Sequence, residues 1–174
     1  MKKHSRVSVL FVVSVLCIFG IVSFAQAEVS EWISGIEVLS GYASGNLKTP
    51  QEDYEMVPLI VDIDLDLKPL IKKLNIDPPM LVQFQLEPFI STVINPDPNV
   101  EIGNAFAVKA GIFPDTWALQ PYLKVACGMV YMTQHTIEQG TQFNFIEYGG
   151  GGLHYFFSDG WAATIEGRFR HLSN

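Results

Sequence analysis

His171 and Ser173 stand two residues apart in "TIEGRFRHLSN", the last stretch of a 174-residue sequence. A serine hydroxyl is a weak nucleophile until a neighbouring base takes its proton, and a neutral imidazole suits that task near neutral pH. In an extended chain, residues i and i+2 share one side with Cα atoms about 7 Å apart, so these two side chains can lean into a hydrogen bond. The pair fits acyl transfer: the serine oxygen attacks an ester carbonyl while donors stabilise the oxyanion. Its parity is unusual. Ala163, Ile165, Gly167 and Phe169 share its face, whereas Glu166, Arg168 and Arg170 alternate on the other. A nucleophile and its base on an apolar face imply a substrate that is itself a lipid.

The elements needed to present such a face are strands, and the sequence is patterned for them. In "VDIDLDL" Val61, Ile63, Leu65 and Leu67 alternate with Asp62, Asp64 and Asp66. "VQFQLEPF" repeats the pattern with Val82, Phe84 and Leu86 against Gln83, Gln85 and Glu87. Period two separates these sets cleanly only on a strand. Seven strands are predicted, at about 33–44, 57–68, 80–94, 103–113, 119–133, 142–157 and 161–173. The connections 45–56, 95–103 and 133–142 are long and polar, whereas "FPDTW" and "FSDGW" are short turns. The connection "KPLIKKLNIDPP" is longer than that alternation predicts. Long loops on one side and short turns on the other characterise outer-membrane barrels. Phe113, Trp117, Phe156, Phe157 and Trp161 cluster beside the short turns, where an interfacial girdle belongs. The expected fold is all-β: an eight-stranded antiparallel up-and-down transmembrane barrel with about seven of its strands in this sequence. An odd count leaves an edge unpaired in lipid, so the last strand is expected to be missing.

Composition points to the same compartment. Lys2, Lys3 and Arg6 precede an apolar run, and Ala25-Gln26-Ala27 supplies a small-x-small cleavage site. Residues 1–27 thus read as a signal peptide and 28–174 as the barrel domain. Removing those three basic residues leaves 8 Lys and Arg against 18 Asp and Glu, a net charge of −10. Such a balance excludes nucleic acid as a partner, because phosphate binding needs a basic surface. Cys127 is the single cysteine left after cleavage, so no internal disulfide forms.

"GRFRHLSN" resembles the His-x-Ser-Asn motif of the outer-membrane lipid A 3-O-deacylases, the PagL type. "FNFIEYGGGGLHYFFSDGW" is similar to that family's Asn-Phe segment, glycine-rich strand and tight turn. The good match covers roughly 142–174; upstream only the strand spacing is compatible. The resemblance implies a barrel that hydrolyses the ester-linked acyl chain at the 3-position of lipid A in lipopolysaccharide. It also implies Ser173 as nucleophile, His171 as general base, Asn174 as an oxyanion donor and Phe145 as an aromatic beside the substrate. The family's third catalytic member is an acidic residue on the following strand, beyond Asn174. No metal or cofactor is called for.

Other signals are weaker. "DIDLD" lacks the glycine turn of a calcium loop, and its aspartates line one face of a strand. "YGGGGLHYF" lacks Gly-Lys-Ser/Thr and opens no helix, so it suits a barrel bend better than a phosphate. Glu166 sits on the wrong parity to serve Ser173, and with Arg168 and Arg170 it is expected to form a charged network inside the barrel. Two rival readings share these features: a small non-enzymatic outer-membrane barrel, and a periplasmic lipid-binding β-barrel.

Overall fold

A computed structural model describes residues 12–14, 20–23, 32–46, 53–134, 141–158 and 160–173. In chain order the elements are β1 (Val12–Ser14), β2 (Gly20–Ser23), β3 (Ile33–Ser40), β4 (Ala43–Asn46), β5 (Asp53–Asp66), α1 (Lys68–Lys72), β6 (Met80–Asn95), β7 (Asn99–Pro114), β8 (Leu119–Met132), β9 (Phe143–Ser158) and β10 (Trp161–Ser173). The sheet is antiparallel and up-and-down, in the order β10-β9-β8-β7-β6-β5-β3, with β4 also on β5. The predicted strands are all present, and the first is broken at residues 41–42 into β3 and β4.

β1 and β2, both within the segment read as a signal peptide, pair with opposite halves of β10. β2 also lies against β3 and β1 against β4, which brings the two ends of the curled sheet together. These short strands cover the edge of β10 that β9 leaves open, where backbone N–H and C=O groups accept an extended segment within reach.

Strands β5 to β10 run 13 to 16 residues each, more than the 9–11 that a tilted transmembrane strand needs. Their faces are sorted inside out. Outward stand Leu59, Ile90, Ile102, Phe106, Leu123, Val125, Ile165 and Phe169, all exposed. Inward stand Glu37, Asp62, Asp64, Glu87, Lys109, Lys124 and Glu166, all buried. A soluble barrel does the reverse; apolar-out and polar-in is the arrangement of a barrel in lipid.

The interior charges neutralise one another. Lys124 Nζ reaches Glu87 at 2.6 Å, Glu166 at 2.9 Å and Asp62 at 3.2 Å. Arg168 bonds Glu166 and Glu87 and stacks over the Tyr148 ring. Tyr122 donates to Glu166 at 2.6 Å. Lys109 pairs with Glu37 and Asp64 and donates to His154 Nε2 at 3.2 Å, so His154 Nδ1–H is left to donate to Thr164 at 2.8 Å. Asp62 and Asp64 of "DIDLD" are therefore partners of lysine and arginine, while Asp66 accepts the Lys68 backbone N–H at 2.9 Å. Towards the other end the interior turns apolar, with Leu39, Met56, Ile60, Val93, Val130 and Ile146 in one cluster.

Two aromatic bands border the wall. Trp32, Phe113, Trp117, Tyr155, Phe157 and Trp161 lie at the end of the short turns, and Tyr42, Tyr131, Phe143 and Phe145 at the other, all exposed. Phe156, expected in the first band, instead packs inward against His154. The long connection after β5 contains α1, which Lys68 ties to Asp115 in the β7–β8 turn. The expected long loop at 95–103 shrinks to three residues, because β7 begins at Asn99. Glu101, read as loop, is buried and takes hydrogen bonds from Tyr54 at 2.5 Å and Arg170 at 2.7 Å.

Candidate active site

β10 alternates strictly: Ala162, Thr164, Glu166 and Arg168 are buried, while Trp161, Ala163, Ile165, Gly167 and Phe169 are exposed. Continuing that alternation puts His171 and Ser173, both partly exposed, on the outer wall. Arg170, between Phe169 and His171, turns inward to Glu101 and lies over the Phe89 ring. The parity expected from the sequence is the one the fold adopts. Glu166 is 2% exposed, held by Tyr122, Lys124 and Arg168, and faces away from Ser173.

β9 supplies the neighbouring side chains. Ser173 is directly opposite Phe145, and His171 directly opposite Glu147. On the far side of β9, Phe145 faces Met129 and Glu147 faces Cys127, both on β8. The wall thus shows the row Met129, Phe145, Ser173 above the row Cys127, Glu147, His171. Phe143 meets Phe145 edge-on at 5.9 Å between ring centroids. One row below, Val125, Gly149 and Phe169 align, followed by Leu123, Gly151 and Gly167. The site therefore lies level with the second aromatic band, where lipid headgroups meet acyl chains, with apolar wall beneath it.

Of the residues singled out from sequence, the structure brings together Phe145, His171 and Ser173; Asn174 lies outside the described residues. Glu147 escaped sequence reasoning. Its signal is present in "FNFIEYG", where Phe143, Phe145 and Glu147 share one parity and Asn144, Ile146 and Tyr148 the other. A carboxylate in an aromatic row is anomalous, but its opposition to His171 depends on the β9–β10 register. That register is set by an irregularity beside the turn: Trp161 pairs with Ser158, yet Ala162 pairs with Phe156, which leaves Phe157 as an extra residue on β9.

Gly152 of β9 is needed on the interior side. A Cβ at Gly152 would meet Tyr122 Cζ at 2.5 Å and the Ile165 carbonyl oxygen at 2.6 Å. Tyr122 crosses this space to stack on His154, at 4.4 Å between centroids, and to bond Glu166.

Comparison with known proteins adds a direct assignment. The model of the lipid A 3-O-deacylase (PagL) family matches residues 82–174, from β6 to the end of β10 and so across every residue of the site. The chain belongs to the lipid A 3-O-deacylase family. No curated protein and no solved structure matches it. Family membership makes lipid A deacylation, a hydrolysis, the activity at family level, and PagL-family proteins are outer-membrane β-barrels. The charged interior, apolar wall and paired aromatic bands of this chain are what that location requires.

Proposed function

We propose that the protein removes the ester-linked acyl chain at the 3-position of lipid A, with Ser173 as nucleophile and His171 as general base. The observation that carries this reading is the placement of both side chains on the lipid-facing wall, beside Phe145, at the outer aromatic band. In the proposed first step His171 takes the Ser173 proton as Oγ attacks the ester carbonyl. The tetrahedral oxyanion collapses and releases the sugar 3-hydroxyl, which receives its proton from His171. Water then hydrolyses the acyl-serine by the same path, again with His171 as base. Asn174 assists as an oxyanion donor, and Phe145 flanks the acyl chain. Each of these groups acts at the membrane surface, so the ester never has to leave the bilayer. Cleavage of residues 1–27 on export delivers the chain to that membrane, with the β8–β9 connection outside.

The test is mass spectrometry of lipid A from cells expressing single variants of the full-length protein, with heat-modifiable gel mobility as the folding control. Ser173→Ala and His171→Ala should each fold and lose activity by orders of magnitude, because a nucleophile and its base act as a unit. Asn174→Ala should cost roughly 10²–10³-fold. Glu166→Gln, on the opposite face, should leave deacylation in place. A folded Ser173→Ala protein that still releases the 3-position chain overturns the assignment.

A further inference from the structure

The connection after β5 carries Leu67, Leu70, Ile71 and Leu74 at the i, i+3, i+4, i+7 spacing that gathers apolar side chains on one stripe of a helix. α1 forms there, and hydrogen bonds from the N–H groups of Lys73, Leu74 and Asn75 extend its turns. The barrel leaves the stripe open: no residue of α1 is buried, Leu70 is 51% exposed, Leu74 71% and Ile76, just beyond, 56%. Apolar area left in water is unfavourable in proportion to its size. α1 is also held at the level of an aromatic band. Its first residue, Lys68, is bound to Asp115, which lies between Phe113 and Trp117, two rings 4.9 Å apart at this end of the wall. Among the described residues, the Lys and Arg side chains outside the barrel are Lys68, Lys72 and Lys73, all in this connection. Lys72 and Lys73 are exposed, Lys72 in a 3.4 Å surface pair with Asp77 that contributes little and can yield to a phosphate.

We propose that α1 is an interfacial helix that docks on the phospholipids of the periplasmic leaflet. Leu70, Leu74 and Ile76 enter the boundary between headgroups and acyl chains, and Lys72 and Lys73 extend along it to the phosphates. The stripe continues the aromatic band, so the lipid that meets Phe113 and Trp117 also meets α1. Strand length fits this placement. β10 has 13 residues. At about 3.3 Å per residue and a tilt of about 40°, such a strand rises roughly 30 Å, the thickness of the hydrocarbon core. With α1 in one interface, the band of Phe143 and Phe145 falls in the other, where Ser173 stands opposite Phe145. The docked helix thereby fixes the depth at which the wall presents Ser173. It lies among the headgroups, so its residues stay within reach of reagents on the periplasmic side. The inference rests on the barrel crossing the outer membrane with this end towards the periplasm, and not on the chemistry of Ser173 and His171.

The experiment uses the purified full-length protein with Cys127→Ala, inserted in vesicles of phosphatidylcholine and phosphatidylglycerol. An environment-sensitive fluorophore is attached at Leu74→Cys or, as the reference in water, at Asp97→Cys in the β6–β7 connection. Quenching by phosphatidylcholine carrying a shallow nitroxide reports contact with lipid, and quenching by iodide reports contact with water. The Leu74 label should be quenched more by the nitroxide and less by iodide than the Asp97 label. Leu70→Asp, which removes apolar area and puts a charge in the stripe, should lower the docked-to-free ratio of α1 by about fivefold or more. Lys72→Gln together with Lys73→Gln should lower it by about fivefold for each lysine. All three side chains lie outside the barrel, so folded gel mobility should be unchanged. A Leu74 label as open to iodide as the Asp97 label would mean that α1 faces water or a protein partner, and the proposal would fail. It would fail as well if Leu70→Asp left nitroxide quenching unaltered. Heat-modifiable mobility reports insertion of the barrel independently, so an inserted barrel with an undocked helix counts against α1 alone.

Discussion

Lys124 and Val125 are consecutive residues at the middle of β8, and the fold sends them to opposite sides of the wall. Lys124 is buried and touches three carboxylates, Asp62, Glu87 and Glu166. Replacing it with Met keeps much of the side-chain volume but removes the shared cation. Breaking a buried ion pair by removing one partner costs about 3–5 kcal/mol. Arg168 still reaches all three carboxylates, so the lower end, about 3 kcal/mol, is expected. Val125 is 64% exposed on the outer face, in the row of Val108, Gly149 and Phe169. Arg in its place would put a guanidinium near the bilayer midplane, at about 2–4 kcal/mol. Two adjacent substitutions, one deleting a charge and one adding a charge, should therefore both destabilise by about 10²-fold in the folding equilibrium. The assay is urea unfolding in lipid vesicles, read as the fraction with folded gel mobility. If Lys124→Met is neutral and Val125→Arg is tolerated, the inside-out sorting is wrong. The face carrying Ser173 and His171 would then not meet lipid, and a lipid substrate would lose its physical basis.

Two further outcomes follow from the same geometry. With Cys127 replaced by Ala, single cysteines at Asp97 and Thr141 should react with an impermeant thiol reagent on intact cells. Those at Leu74 and Ser158 should react only after the outer membrane is opened, and the reverse pattern would put the site in the wrong leaflet. Gly152→Ala should destabilise by about 1–3 kcal/mol, because its Cβ collides with the Tyr122 ring and a strand carbonyl. Gly167→Ala, whose Cβ meets nothing within 4 Å, should unfold in urea like the unaltered protein.

Alternation is a local property of the chain, which is why so much could be read from it. Side chains on a strand change sides at every residue whatever the partner strands do, so period-two patterning located each strand and its outward face without knowledge of the neighbours. By itself this determined that Asp62, Asp64, Glu166 and Arg168 point inward and that His171 and Ser173 point outward. The misreadings arose where polarity was taken for irregular structure. Asn99 and Glu101 looked like loop, but a barrel interior provides Tyr54 and Arg170 to satisfy Glu101, so the strand continues through them. Phe156 looked interfacial because it sits beside Phe157 and Trp161, yet it shares the face of buried His154 and packs against it.

Only the tertiary structure decided which residues stand opposite His171 and Ser173. Carried up from the Ser158–Trp161 pair, a regular ladder would set His171 against Tyr148, which faces the interior. One unpaired residue beside the turn slides β9 by one position and puts Glu147 there instead. The slip is held by contacts distant in sequence. Tyr122 on β8 occupies the space that the missing side chain of Gly152 leaves, and it bonds Glu166 on β10, which ties the three strands in one register. No periodicity in β9 or β10 encodes that offset, because register is a relation between strands and is fixed by what packs between them.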